Sequence, residues 1–329
     1  MSVRSAATRG LRPALLALSL PLLALPGYRV YAEQRLGAEL ARGPRDAATG
    51  VLLGAEALTL PGGSGSAVLL IHGFAGSRRD FNDLGQRLQA EGHTVRMLRL
   101  PGHGTQPQDF AGVTPDQLRA HVAAEHAALA ATHERVDVVG FSMGGALATL
   151  LAAEAAQRPA SGAGDIAGSA DIAGRPGRLV LIAPYFAVTP HWYYGLAPET
   201  WHRLLRPWLP YAVKSRYFVK LNQRENVDRL LTYRVVPAAA VDTALALGAA
   251  AADPATLARV RAPVLVLHAA GDDAADPAAS RRALQGMTQA ASRRYLDFGR
   301  SNHLLLWDYD RLAAEAEILR FLESSRATR

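Results

Sequence analysis

Short apolar runs alternate with longer stretches of helical composition along most of the chain. The runs are rich in β-branched residues and are bounded by glycine, proline and aspartate, which is typical of buried strands. The longer stretches between them have the length expected of helices. This pattern predicts strands at 67–71, 94–98, 136–140, 179–183, 263–268 and 293–297, and helices near 78–90, 115–131 and 143–156.

Strands that alternate with helices indicate the α/β class, with a mostly parallel, doubly wound sheet and helices on both faces. The chain has 329 residues, and one core with an inserted cap accounts for this length. The alternation stops between 185 and about 250, where aromatic residues and prolines are dense. We therefore predict a helical cap over about 185–250, whose aromatic side chains either line a pocket or pack the cap onto the sheet.

A second interruption covers about 158–177, which is rich in glycine and alanine and contains two near-identical copies of Gly-Asp-Ile-Ala-Gly. A segment with few large side chains has little apolar surface to bury. We predict a flexible surface insertion without a catalytic role.

One predicted strand runs directly into a sharp turn that suits a nucleophile. Residues 136–148 read Val-Asp-Val-Val-Gly-Phe-Ser-Met-Gly-Gly-Ala-Leu-Ala, a strand followed by Gly-x-Ser-x-Gly and a helix of small residues. Such a turn holds a serine hydroxyl clear of its neighbours, within reach of a base and of amide donors. We predict Ser142 as the nucleophile. The alternative is that Ser142 only caps the helix that begins there.

Side chains that could partner Ser142 follow two later strands. The turn after strand 263–268 contains Asp272 and Asp273, and His303 lies in the loop after the last predicted strand. The C-terminal ends of parallel strands meet at one edge of a sheet, and the chain order serine, acid, histidine is the one found with this kind of turn. We predict His303 as the base and Asp272 as the acid that orients it, with Asp273 as the alternative.

The loop after the first strand, His-Gly-Phe-Ala-Gly-Ser at 72–77, is a candidate oxyanion loop. Gly73 allows the backbone to come close, so the amides of Phe74 and Met143 could both point at the oxygen that becomes negative during acyl transfer. Because the donors are backbone groups, the side chains matter less. For the His72 side chain we expect a packing role.

Together these motifs resemble the α/β-hydrolase family, and they are most similar to bacterial carboxylesterases and monoacylglycerol lipases. The likeness spans roughly residues 64–325. It is carried by His-Gly-Phe-Ala-Gly-Ser at 72–77, Pro-Gly-His-Gly-Thr at 101–105, Gly-Phe-Ser-Met-Gly-Gly at 140–145, the turn at Asp272 and Ser-Asn-His at 301–303.

The resemblance implies an α/β-hydrolase fold and a serine hydrolase that cleaves carboxylic esters of short to medium acyl chains, or monoacylglycerols, through an acyl-enzyme. It implies Ser142 as nucleophile, His303 as base, Asp272 as orienting acid, and Phe74 and Met143 as amide donors. The family usually has a single acid in the turn where this chain has two. Thioesterases and peptidases use the same triad, and a non-catalytic member could bind an apolar ligand under its cap.

No metal or organic cofactor is implied, although the chain has ten histidines. His121, Glu125 and His126 fall at helical spacing, but they do not form the His-Glu-x-x-His zinc signature. A solvated helix face is the simpler interpretation of these three residues. The expected partner is a small ester or lipid substrate.

The N-terminus carries a separate signal. Three arginines precede an apolar run at 14–25, and Val-Tyr-Ala at 30–32 loosely resembles a cleavage site. The run is shorter than the roughly 20 residues that span a bilayer. We predict that 1–32 is a signal peptide or an N-terminal membrane anchor and that 33–329 is the hydrolase domain, so that the protein is exported, periplasmic or secreted, or is held at the membrane.

Charge and cysteine content exclude some alternatives. The net charge is +7, and the four arginines that precede Glu33 account for more than half of it, leaving +3. The remaining basic residues are scattered, so we expect no nucleic-acid partner. The absence of cysteine excludes disulfides and a lipid anchor through cysteine.

Overall fold

The computed structural model describes residues 25–157, 174–191 and 195–323. Most of the apolar run at 14–25 and most of the predicted insertion at 158–177 lie outside the described residues.

Two sheets are present in the described part of the chain. The central sheet has seven strands in the order β1-β3-β2-β4-β5-β8-β9, and the small sheet pairs β6 with β7. The strands are β1 (Leu58–Leu60), β2 (Ser66–Ile71), β3 (Thr94–Met97), β4 (Arg135–Phe141), β5 (Leu179–Ile182), β6 (Tyr211–Val213), β7 (Val235–Pro237), β8 (Val264–Ala269) and β9 (Arg293–Phe298).

Helices cover both faces of the central sheet. The most N-terminal helix of the described ranges, α1, includes residues 25–40. The others are α2 (Leu84–Ala90), α3 (Pro107–Ala111), α4 (Pro115–Ala130), α5 (Met143–Ala155), α6 (Pro198–Leu205), α7 (Ala238–Ala252), α8 (Pro254–Leu257), α9 (Pro277–Gly286) and α10 (Arg311–Glu323).

The predicted α/β architecture is confirmed. Each of the six predicted strands is present with both ends within one residue of the prediction, and all six run parallel in the central sheet. Strands β2, β5 and β8 are buried along their whole length, which explains why they appear in the sequence as continuous apolar runs. The short antiparallel edge strand β1 was not predicted.

One predicted helix is wrong in detail. The segment near 78–90 is not continuous: a 3-10 turn covers Arg78–Phe81, and α2 begins at Leu84. Between them Asn82 has a φ of +49°, outside the helical region. By contrast, α4 begins where the sequence predicted, because Thr114 and Gln117 form a capping box around Pro115.

The helix after the central strand packs tightly because its residues are small. Helix α5 is buried on nearly every side, between the sheet and α7, and glycine and alanine let the backbones approach closely. Helix α7 falls within the segment predicted as the cap, yet its buried face joins the core on α5. Other described residues of that segment, including Tyr185, Lys214 and Leu230, lie near Ser142, just beyond the C-terminal end of β4.

Helix α1 is held against this segment. The Tyr28 hydroxyl accepts a hydrogen bond from the Val213 amide at 3.0 Å, and the Arg42 guanidinium, just after α1, donates to the carbonyl of Thr232 at 2.7 Å. Glu39 is buried and accepts from the Arg234 amide at 3.3 Å. Among the helices of the described ranges, none has the length and apolar character needed to cross a bilayer.

Candidate active site

Ser142 lies at a sharp turn between β4 and α5. Its φ is +53°, a strained value for a residue with a side chain, and its amide donates to the carbonyl of Ile182 at 3.0 Å. A side chain at position 144 would collide with the carbonyl of Ile71, and one at position 140 would collide with the backbone of Gly144. Glycine is therefore required on both sides of the serine.

The structure brings Ser142, His303 and Asp272 together. The Ser142 hydroxyl lies 2.9 Å from Nε2 of His303, and Nδ1 of His303 lies 2.7 Å from Oδ2 of Asp272. Because a carboxylate only accepts, Nδ1 carries the proton and Nε2 is free to accept from the serine. The three residues follow β4, β8 and β9, whose C-terminal ends lie at the same edge of the sheet.

Asp272 is buried and saturated with donors. Its Oδ1 accepts from the amides of Ala274 at 2.8 Å and Ala275 at 3.0 Å, and its Oδ2 accepts from His268 at 2.9 Å as well as from His303. Burial alone would raise the pKa of Asp272, but the two histidines hold that pKa well below its usual range. The group is a carboxylate at any pH at which the protein would work.

The neighbouring Asp273 has a different partner. Its Oδ2 forms an ion pair with Nζ of Lys220 at 3.0 Å. Consecutive side chains point in different directions at this turn, so only Asp272 reaches His303. Of the two acids that the sequence left open, the structure places Asp272 on the histidine.

The loop that carries His303 is fixed by hydrogen bonds from its own neighbours. The Asn302 side chain accepts from the His303 amide at 2.8 Å, and Asp308 accepts from the Asn302 amide at 2.9 Å. Phe141, the residue before the serine, packs against the imidazole with ring centroids 5.1 Å apart. The ring position is therefore set by both packing and polar contacts.

The predicted oxyanion loop passes close to Ser142. A Cβ at Gly73 would lie only 3.2 Å from Cβ of Ser142, and Phe74 and Met143 both line the cavity at the serine. The Gly73 amide donates to Oδ2 of Asp80 at 3.0 Å. Burial raises the pKa of Asp80 to about 7.

Two buried histidines form hydrogen bonds with the backbone of this loop. Nδ1–H of His72 donates to the carbonyl of Gly73 at 2.9 Å, and Nε2 of His103 accepts from the Ala75 amide at 3.2 Å. Burial lowers the pKa of His72 to about 4 and that of His103 well below its usual value, so both rings are neutral. His72 is buried as expected, but it also orients the peptide group that contains the Phe74 amide.

A cavity of about 280 Å³ opens at Ser142 and His303. Its wall is mainly apolar, and the side chains that form it include Phe74, Phe141, Tyr185, Val188, Phe218 and Leu245. Polar groups are few, and Asp80, Lys214 and Thr232 are among them. Nζ of Lys214 donates to the Thr232 hydroxyl at 3.3 Å, and burial lowers the pKa of this lysine to about 8.

Sequence reasoning did not assign four of these residues: His268, Asp80, His103 and Lys214. A signal existed for His268, which is a polar residue at the end of an otherwise apolar strand and four positions before Asp272. No comparable signal marked Lys214, which reaches the cavity only through the fold of the segment after β5. Within residues 25–157, 174–191 and 195–323, no three acidic or histidine side chains are grouped so that they could bind a metal ion.

Comparison with known proteins gives the family. The model of the alpha/beta hydrolase family matches residues 68–315, which is more than half of the chain. The chain belongs to this family. As an alpha/beta hydrolase it has the strand–serine–helix turn on β4 and α5 and the histidine after the last strand of the sheet.

Relatives of this alpha/beta hydrolase match it over short segments. The thermostable monoacylglycerol lipase of Bacillus sp. (strain H-257) is 36% identical over 102 residues, 31% of this chain and 40% of that protein. The dihydrolipoyllysine-residue acetyltransferase component of the acetoin cleaving system of Cupriavidus necator is 41% identical over 101 residues, 30% of this chain and 25% of that protein. The chain thus spans less than half the length of these relatives.

A solved structure of the metagenome-derived lipolytic enzymes LipS and LipT is similar over nearly its whole length. Its TM-score is 0.67 with 23% sequence identity, and the match covers 83% of this chain and 99% of that chain. At this identity the likeness supports the alpha/beta hydrolase fold alone.

Proposed function

We propose that this alpha/beta hydrolase is a serine carboxylester hydrolase that acts on esters of short to medium acyl chains, including monoacylglycerols. The observation that carries the proposal is the hydrogen-bonded series Ser142–His303–Asp272, with distances of 2.9 and 2.7 Å, at the wall of an apolar cavity. A serine with a base on one side and amide donors nearby is suited to acyl transfer.

In the proposed reaction, His303 takes the proton of Ser142 as the serine attacks the ester carbonyl carbon. The amides of Phe74 and Met143 donate to the oxygen that becomes negative, and Asp272 stabilises the imidazolium. The imidazolium then protonates the departing alcohol. Water, deprotonated by His303, attacks the acyl-enzyme and releases the acid.

The cavity supports an ester with an apolar acyl chain and a polar alcohol. Its wall is mostly aliphatic and aromatic, which suits an acyl chain. Lys214 and Asp80 add a donor and an acceptor beside the oxyanion loop, where a hydroxyl of the alcohol could bind. The monoacylglycerol lipase among the relatives supports the same substrate class.

Covalent labelling tests the proposal directly. The folded protein is treated with a fluorophosphonate, and the labelled peptide is identified by mass spectrometry. We expect one label, on Ser142, together with turnover of p-nitrophenyl esters that is greatest for short or medium chains. Folded protein that stays unlabelled would instead support a non-catalytic protein that binds an apolar ligand, and faster turnover of acyl thioesters or peptides would change the substrate class.

Replacing Lys214 with methionine tests the polar end of the cavity. The variant should raise KM for a monoacylglycerol by about tenfold, because it removes one charged donor to a hydroxyl. KM for the p-nitrophenyl ester of the same acid should change by no more than about twofold, since that alcohol has no hydroxyl. Lys220→Met is the matched control, because Lys220 also lines the cavity but is paired with Asp273. An equal rise in KM for both substrates would refute the assignment of Lys214 as a donor to the alcohol.

We also propose that the N-terminal segment places the protein outside the cytoplasm or at the membrane, as an uncleaved anchor. Cleavage after Ala32 would remove residues 25–32 of α1, including the Tyr28 contact with Val213. That contact supports retention of the segment. Expression of the full chain in bacteria should give membrane-associated protein that still contains residues 25–32; a soluble product that begins at Glu33 would contradict the anchor.

A further inference from the structure

A second imidazole, that of His268, is hydrogen-bonded to Asp272, the acid of the proposed triad. Nε2 of His268 lies 2.9 Å from Oδ2 of Asp272, the same oxygen that accepts from Nδ1 of His303 at 2.7 Å. The catalytic sequence proposed above does not use His268. It lies four residues before Asp272, near the end of β8.

The surroundings of His268 determine where its proton lies. The side chain is fully buried, and Nε2 also lies 3.2 Å from the carbonyl of Ala275. Both neighbours of Nε2 are acceptors, so Nε2 carries the hydrogen. Nδ1 has no hydrogen-bond partner within the part of the chain that the structure describes. Within the described residues, His268 therefore forms hydrogen bonds only through Nε2, which faces Asp272.

With His268 in place, each oxygen of the carboxylate accepts two hydrogen bonds. The amides of Ala274 and Ala275 bond to Oδ1, and the two imidazoles bond to Oδ2. The two amides lie in the same turn as Asp272, so they move with the turn. His268 is different, because it lies on the fully buried strand β8. Among the four hydrogen bonds to the carboxylate oxygens, it is the one donated from a strand of the sheet.

We propose that His268 is a positioning residue of the triad: its Nε2–H, anchored on β8, holds Oδ2 of Asp272 on Nδ1 of His303 during both proton transfers. This inference rests on the proposed function, because it requires the Ser142–His303–Asp272 series to be the reacting groups. His268 itself exchanges no proton with substrate. It acts by keeping the Asp272 carboxylate aligned while His303 alternates between imidazole and imidazolium.

Two substitutions separate positioning from simple packing. His268→Leu fills much of the same space without a donor, whereas His268→Gln carries an amide N–H that can reach the same place as Nε2. The leucine variant should lower kcat about tenfold or more, with KM changed by no more than about twofold, because one hydrogen bond to a charged group is lost without contact to substrate. The glutamine variant should recover most of the lost kcat.

The low-field NMR resonance of the proton between Nδ1 of His303 and Oδ2 of Asp272 reports directly on how these two atoms are aligned. It should shift or broaden in His268→Leu and return toward the wild-type position in His268→Gln. The matched control is His93→Leu, which removes another buried histidine. His93 is hydrogen-bonded to Ser66 at 2.7 Å, at the N-terminal ends of β2 and β3. This control should leave both the resonance and kcat unchanged.

Wild-type kcat and an unmoved resonance in folded His268→Leu would overturn the inference. So would a loss of activity that glutamine does not restore and that follows the loss of stability in thermal unfolding. These results are distinct from failure of the proposed function, which would appear as activity that persists in Ser142→Ala. If Ser142→Ala is inactive and His268→Leu is normal, only the role of His268 is refuted.

Discussion

Ser142→Ala should lower kcat for a p-nitrophenyl ester by about 10⁴-fold or more, and His303→Ala should do the same. Each substitution breaks the proton path between the hydroxyl and Nε2, which are 2.9 Å apart in the structure. Since the two groups act as a unit, the double variant should lose little beyond either single variant. Steady-state rates and fluorophosphonate labelling of the purified variants measure both effects.

A buried serine outside the site serves as the control. Ser280 is fully buried in α9, and its hydroxyl donates to the carbonyl of Pro184 at 3.3 Å. Ser280→Ala loses a hydrogen bond that is more deeply buried than that of Ser142, and it should keep kcat within about threefold of wild type. If folded Ser142→Ala retained more than about one hundredth of the turnover of Ser280→Ala, Ser142 would not be the nucleophile.

The second large effect is expected from Asp272→Asn, which should lower kcat by about 10⁴-fold. An amide at this place can present its own N–H to Nδ1 of His303, which favours the tautomer that cannot accept from Ser142. The substitution also removes the negative charge that stabilises the imidazolium. The geometry need not change, so the loss should appear in kcat while the protein stays folded.

Asp273→Asn is the natural comparison, because it makes the same chemical change one residue away. It removes the ion pair with Lys220 at 3.0 Å and leaves the bond between His303 and Asp272 in place. We expect kcat within about threefold of wild type, since a partly exposed ion pair contributes little. The reverse result, with Asp273→Asn inactive and Asp272→Asn active, would show that the acid is misassigned by one position.

The strands were predictable because they are buried in a parallel sheet. A strand with both faces covered is mostly apolar along its length, so β2, β5 and β8 can be recognised without knowledge of their neighbours. The edge strand β1 is only three residues long and is partly exposed, and it pairs with β3 through contacts distant in sequence. The break at Asn82 was missed because nothing local to that residue forbids a helix.

The candidate nucleophile and histidine were predictable for a different reason. The turn at Ser142 needs glycine at two positions where a side chain would collide with backbone, and this need appears in the sequence as Gly-x-Ser-x-Gly. His303 was indicated by its place after the last strand. The amide donors Phe74 and Met143 remain predictions, as does the chemistry of all five residues, until the variants above are measured.

The sequence by itself determined the α/β class, the strand order along the chain and the short set of polar residues at the strand ends, because burial and backbone collisions act locally. Only the tertiary structure decided that Asp272 and not Asp273 meets His303, that His268 shares the same carboxylate oxygen, and that Lys214 reaches the cavity. These contacts depend on the direction of individual side chains and on segments far apart in the chain. The packing of the folded chain sets these directions, and the local sequence pattern does not predict them.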